Sequence, residues 1–180
     1  MRRLWTERNV SFRGRHWQFD GVTLEPPPVQ RPHPPIWIGG RSTAALRRTA
    51  RFADGWLAYM VTPVRLRESL AQIRAFAAAG GRDPGAIAGG VLLFVHVSEQ
   101  REASRARVVA DLSARYNQPF EKLVDRYCAF GTPGQCAETI AAFVDAGVSN
   151  VVLKFTCRPE EQLGQQQRFA EGVLPLLVRR

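Results

Sequence analysis

Four consecutive residues in the first quarter of the chain have the types and spacing to hold an anion. Gly39-Gly40-Arg41-Ser42 follow the apolar run Ile36-Trp37-Ile38 and precede a helical pattern. At a strand-to-helix junction the first amides of the helix lack intrahelical acceptors, and the helix dipole favours negative charge there. Glycine lets a phosphate approach the backbone, a serine hydroxyl adds a donor, and arginine adds charge. Gly39, Gly40, Arg41 and Ser42 are therefore candidate phosphate contacts. The stretch is neither G-x-G-x-x-G nor a lysine-bearing P-loop, so spacing alone leaves two readings open: a phosphate cradle or a tight structural turn.

Other residues with chemical potential stand singly. His96 lies in the apolar run VLLFVHV, near the carboxyl end of an expected strand, where α/β enzymes place reactive groups. It reads either as a base or cofactor contact or as a hydrogen-bonded core histidine. Lys154 puts a charge inside the apolar segment Asn150 to Phe155, which requires a partner or a polar cavity. Asp54 precedes its strand and reads as a turn residue. His16 and His33 lie apart from any residue that would complete a metal site or a nucleophile-base pair. Cys128, Cys136 and Cys157 have no C-x-x-C spacing and read as ordinary thiols; no metal site is indicated. G-x-S-x-G, H-E-x-x-H and paired-carboxylate patterns are absent from the sequence.

The elements that must position these residues follow from periodicity and punctuation. Val10 to Phe19, two aromatic-rich runs around Arg13-Gly14-Arg15, predicts a hairpin. Glu25 to Pro35 carries six prolines and can be only an extended connector. Strands are expected at 36–38, 56–60, 90–97 and 150–155. Each is followed by a helix: 42–53, one from Thr62-Pro63 to Gly80, one capped by Ser98 and running to about Tyr116, and a last one to about Val178. A further helix opens at Thr132-Pro133-Gly134-Gln135, a capping box with proline at its first position, and stops at Gly147. Four strands with helical crossovers predict an α/β fold with a parallel sheet; periodicity does not separate an open sheet from half of an eight-stranded barrel.

Composition sets the outer limits. The chain has 180 residues and 45% apolar content, enough for one domain with a real core. Val91 to Val97 is its longest apolar run, far below the roughly 20 residues of a membrane span. The N-terminus lacks the apolar region of a secretory signal, and a cytoplasmic setting without membrane association is expected. The net charge of +9 comes from scattered arginines among acidic residues, with only Lys122 and Lys154 as lysines. A basic nucleic-acid-binding module is thus the weaker reading, and no nucleic-acid partner is expected.

The runs FRGRHWQFDGV, PPPVQRPHPPIWIGGRS and ADGW, with GTPGQCAETI and AGVSNVVL later, resemble the luciferase-like monooxygenase family, the flavin- or F420-dependent oxidoreductases. The resemblance covers essentially the whole chain. It implies a partial (β/α)8 TIM barrel in which the four strands are units five to eight, with Leu4-Trp5 ending the helix before them. It implies FMN or coenzyme F420, held by its phosphate at Gly39, Gly40 and Ser42, with Arg41 beside them, and a small-molecule substrate. No catalytic residue can be carried over, because the family's ring-facing and substrate-facing residues lie largely in the missing first half. A half barrel exposes strand edges and an apolar inner face, so a homo-oligomer or a separate amino-terminal half is expected. A remnant that keeps the fold without turnover is the alternative.

Overall fold

The computed structural model describes residues 1–178 and divides them into two compact units, Met1–Ile36 and Trp37 onward. In the first unit, helix α1 (Arg2–Thr6) precedes the antiparallel hairpin of β1 (Val10–Arg13) and β2 (Gln18–Val22). The hairpin closes through the Gly14 amide donating to Trp17 O at 2.9 Å, and Phe12 stacks on Phe19 with ring centroids 5.8 Å apart. Ser11 bonds the Asp20 carboxylate across the pair, next to a bulge between Val10 and Phe12. The hairpin runs beyond the expected Val10 to Phe19, since β2 ends at Val22. Glu25 to Pro35 contains no helix or strand.

The second unit is a parallel sheet with helical crossovers. Its elements are β3 (Trp37–Gly39), α2 (Thr43–Phe52), β4 (Gly55–Tyr59), α3 (Pro63–Ala79), β5 (Ala88–Val97), α4 (Arg101–Tyr116), α5 (Val124–Tyr127), β6 (Cys128–Gly131), α6 (Pro133–Asp145), β7 (Asn150–Phe155), α7 (Gln162–Arg168) and α8 (Leu174–Val178). The helix starts obey their caps. Ser42, Thr62 and Thr132 each accept the amide three residues on, and Thr132 with Gln135 completes the capping box.

Four expected strands are present and a fifth, β6, joins them. The registers show how it fits. Strand β5 pairs β4 through Ala88–Leu92, β7 through Gly90–Val95 and β6 through Phe94–Val97. Because β7 overlaps both other pairings along β5, β4 and β6 must share the opposite edge of β5, end to end. The side-by-side order is therefore β3-β4-β5-β7, the four expected strands, with β6 as a stub beyond the end of β4. Past the end of β7 the other edge of β5 is finished by a side chain. The Gln165 carboxamide accepts from Val97 N at 2.8 Å and donates to Val97 O at 3.0 Å, imitating one more strand residue.

Two further expectations are corrected. Ser98 does not cap α4; its hydroxyl accepts the Gln100 amide, and the helix begins only at Arg101. The last helix is not continuous, since a π-helical turn, Phe169–Val173, separates α7 from α8.

The alternation of side chains gives the sheet two unlike faces. Trp56, Ala58, Val91, Leu93, Val95, Val97 and Phe155 pack beneath α2, α3, α6 and the π turn, with Leu46, Leu66, Leu70, Ile73, Ile140 and Phe143 filling the main core. The opposite, inner face carries Trp37, Leu57, Tyr59, Leu92, Phe94, His96 and Lys154. Its carboxyl-end half is covered by α4 and α5 through Val108, Leu112 and Val124. Its other half carries Trp37, itself 38% exposed, whose ring occupies the space where Cβ atoms on Gly55 and Gly90 would lie, 2.5 and 2.7 Å away. Val152 on this face remains 45% exposed.

Candidate phosphate turn at the carboxyl end of the sheet

The turn after β3 is open to solvent from Gly39 to Thr43. Ser42 has extended backbone and its Oγ accepts the Ala45 amide at 3.2 Å, while Leu46 N donates to Ser42 O at 3.0 Å. This capping leaves the Thr43 and Ala44 amides as the donors that α2 itself does not use, and it leaves the Ser42 hydroxyl proton available. Trp56 Nε1 donates to Gly40 O at 2.9 Å, anchoring the turn to β4.

The two glycines have different causes. Gly40 sits at φ +106°, where an L side chain is strained, and a Cβ there would lie 2.9 Å from Ala45 Cβ. The fold alone accounts for it. Gly39 has no such φ, and a Cβ there would meet only Leu57 O at 3.6 Å, an ordinary contact. Nothing in the chain needs the missing side chain. It belongs to the inner face, at the mouth of the turn, where it leaves room for a group approaching the backbone.

Arg41 reaches away from its own turn. Its Nη1 donates to Met60 O at 2.7 Å, tying the β3-α2 turn to the β4-α3 turn. Arg41, Thr62, Arg65 and Arg126 line a cavity of about 400 Å³ between these turns, without a carboxylate in its wall. Beside it, burial, followed by a hydrogen bond with Tyr116, pushes the Tyr59 hydroxyl up to about 12. Tyr59 is a neutral phenol at physiological pH.

His96 is not part of this opening. Ser104 Oγ donates to His96 O at 2.9 Å, so its single proton is committed, and it accepts both the Gly131 amide at 3.0 Å and His96 Nδ1 at 2.9 Å. The imidazole therefore carries its proton on Nδ1 and turns Nε2 toward Gln165 Nε2, 3.5 Å away. Burial, with Arg107 second, lowers its pKa and keeps the ring neutral. His96 ties β5 to α4 and α7, the core alternative read from the sequence. Lys154 projects from β7 on the inner face, level with Phe94. Burial pushes the Cys128 and Cys136 thiols up to about 12, which leaves them protonated.

Parallel strands joined by helical crossovers, a helix layer on the outer face and a glycine turn at the carboxyl end of the first strand describe a partial (β/α)8 barrel. The sequence pattern of the luciferase-like monooxygenases matches residues 1–122, and the chain belongs to that family. It is 32% identical over 206 aligned positions to an FMNH2-dependent dimethylsulfone monooxygenase of Pseudomonas putida, with 97% of this chain and 54% of that protein covered. Among solved structures it is similar to an F420-dependent secondary alcohol dehydrogenase, with TM-score 0.79, 17% identity and coverage of 98% of this chain and 58% of that one. A monooxygenase from Streptomyces bottropensis is similar at TM-score 0.75 and 25% identity, with 97% and 57% covered. The chain thus spans about half the length of the relatives it matches. No helix among the described residues is long and apolar enough to cross a membrane.

Proposed function

We propose that this chain forms the carboxyl-terminal half of a cytoplasmic flavin- or F420-dependent oxidoreductase that acts on a small organic substrate. The observation that carries the proposal is Gly39: its side chain is missing at the mouth of an open helix N-terminus, and no contact within the chain requires the omission. The residues present fit a phosphate. The Thr43 and Ala44 amides and the Ser42 hydroxyl supply donors, while Arg41, tied to Met60 O, contributes its charge from the neighbouring turn. A bound reduced flavin or deazaflavin supplies the redox chemistry, which is why no catalytic triad is needed. A phosphate turn serves FMN and F420 alike; the FMNH2 dependence of the 32% identical relative favours FMN.

The protein's own contribution is to fix one end of the cofactor and to form one wall of the reaction chamber. Leu57, Tyr59 and Leu92 give that wall an apolar, non-ionising surface. The half-covered inner face requires a complement, either an amino-terminal barrel half or a second copy of the chain. The nucleic-acid alternative is disfavoured by the pairing of arginines with carboxylates, as in Arg105–Asp125 and Arg107–Glu161.

The test is equilibrium dialysis of the chain against FMN and riboflavin, which differ only in the phosphate. FMN is expected to bind at least ~10-fold more tightly, about 1.4 kcal/mol. Equal affinity for the two would remove the phosphate assignment.

A further inference from the structure

A cavity of about 670 Å³, separate from the glycine turn, lies in the groove between α4 and β7. That volume lies within the usual range of small-molecule sites. Its charged lining consists of Arg107, Asp111 and Arg115 from one flank of α4, Lys154 from β7, and Arg158 just beyond β7. Ala110, Cys157 and Pro159 supply the apolar wall.

The charges in this groove can be paired off by their contacts. Arg107 bonds Glu161 at 2.8 Å; Arg115 bonds Asp111 at 3.2 Å; Arg158 bonds Glu161 at 2.7 Å and Glu160 at 3.2 Å. The pairing with Arg158 holds the Glu161 carboxyl down at about 2, so it is ionised throughout the neutral range. Three guanidiniums are thus matched by three carboxylates. The ammonium of Lys154 is the charge left over, with no ion pair to it among the described residues.

Its identity and position add to this. Of 25 cationic side chains in the sequence, only Lys122 and Lys154 are lysines. Lysine is a compact point charge on a flexible stem, suited to one anionic group of variable position, whereas the arginine fork is already engaged in planar carboxylate pairs. Lys154 stands in the carboxyl-end half of β7 on the inner face, level with Phe94, and lines the same cavity as Arg107, Asp111 and Arg115 of α4.

We propose that the groove between α4 and β7 is a binding site for a small organic monoanion, a carboxylate or sulfonate, with Lys154 as its anchor and Ala110 and Pro159 against its apolar body. As the substrate pocket of an oxidoreductase it rests on the function proposed above. As a binding site it does not, because no cofactor takes part in the contacts.

The test uses a pair of nearly equal shape and unequal charge. The amide resonances of the intact chain are followed by NMR during titration with methanesulfonate, with acetate and with neutral dimethylsulfone, at ionic strength held constant with chloride. Saturable shifts at 154–158 and along 107–115 are expected with the two anions, at least tenfold more tightly than with dimethylsulfone. The tighter of the two anions assigns a tetrahedral or a planar head group. Lys154→Met should abolish the preference, Lys154→Arg should keep most of it, and Lys122→Met should leave it unchanged. Lys154 is exposed, so the variants should fold; Lys154→Gln repeats the test if the methionine variant does not. Equal affinity for charged and neutral probes, a preference that survives loss of Lys154, or competition by chloride at equal strength would each overturn the proposal. Failure of the FMN-over-riboflavin difference would remove the phosphate turn and leave this result standing.

Discussion

Replacing Gly39 and Gly40 by alanine, one at a time, separates ligand binding from folding within a single turn. At Gly39 the added methyl meets only Leu57 O at 3.6 Å, and the backbone is one that alanine adopts without strain. Glycine within a strand costs about 0.5–1 kcal/mol relative to alanine, so Gly39→Ala should be as stable as the parent or more stable by up to that amount. At Gly40 the φ of +106° and a Cβ only 2.9 Å from Ala45 Cβ make the same change strained. A cost on the order of 1–3 kcal/mol is expected there, before any shift of α2. Binding should follow the opposite order among folded molecules. A methyl at Gly39 stands where the phosphate nears the amides of α2, and hydrogen bonds to a charged group are worth roughly 1.5–3 kcal/mol. FMN affinity should therefore fall about 10- to 100-fold, while the weaker riboflavin affinity changes little. Urea denaturation supplies the stability arm and equilibrium dialysis the binding arm. A Gly39→Ala protein that is stable and still discriminates FMN from riboflavin like the parent would refute the cradle and leave the glycine pair as a turn.

Two other changes test the frame behind the site. Gln165→Ala removes both bonds to Val97 and leaves a buried amide and carbonyl without partners, at about 1–3 kcal/mol each; an unfolding free energy from urea denaturation lowered by a total of about 2–6 kcal/mol is expected, and a loss below about 1 kcal/mol would show that Gln165 does not complete the edge of β5. His96 has a folded pKa below its ordinary 6.5, so the unfolded chain binds the extra proton first, and the contribution is complete above 6.5 and lost progressively as pH falls below it. His96→Gln should flatten that part of the stability-pH curve; an unchanged slope between pH 6.5 and 5 would exclude the buried neutral imidazole as its source.

The elements with strong local signals are legible in the sequence itself. Thr62-Pro63 and the Thr132 capping box start helices where their chemistry predicts, and Asn150–Phe155 is a strand with the expected ends. The misses are places where distant contacts decide. Cys128–Gly131 is four residues long and follows a one-turn helix without a turn signal; it becomes a strand because the edge of β5 is vacant beyond β4. The break in the last helix falls beside Pro133 of α6, where a Cβ on Gly172 would lie 3.0 Å from the proline ring, and no local pattern marks it. Which face of the sheet α4 covers was also hidden, since an amphipathic helix fits either side. At the site, the glycine turn was recognisable from its residue types, but the difference in cause between Gly39 and Gly40 is purely spatial. The role of Gln165 had no signal at all within the polar run Gln165-Gln166-Gln167.

The strand order relates the two proposed sites to each other. The glycine turn ends β3 and Lys154 stands on β7, the outermost members of the order β3-β4-β5-β7. Three inter-strand steps of about 4.8 Å separate them by roughly 14 Å along the sheet, less whatever curvature draws them together. That exceeds the Debye length of about 8 Å at physiological salt, so an anion at one end should scarcely sense an anion at the other. The dialysis and NMR titrations are therefore independent readouts of two sites. On the function proposed above, a ligand that joins a phosphate at β3 to a substrate at β7 must span that gap, and Tyr59 and Leu92 between them are packed against the cluster under α4 and α5. On these proposals both anchor points lie on the strands of this chain, at opposite ends of the order β3-β4-β5-β7.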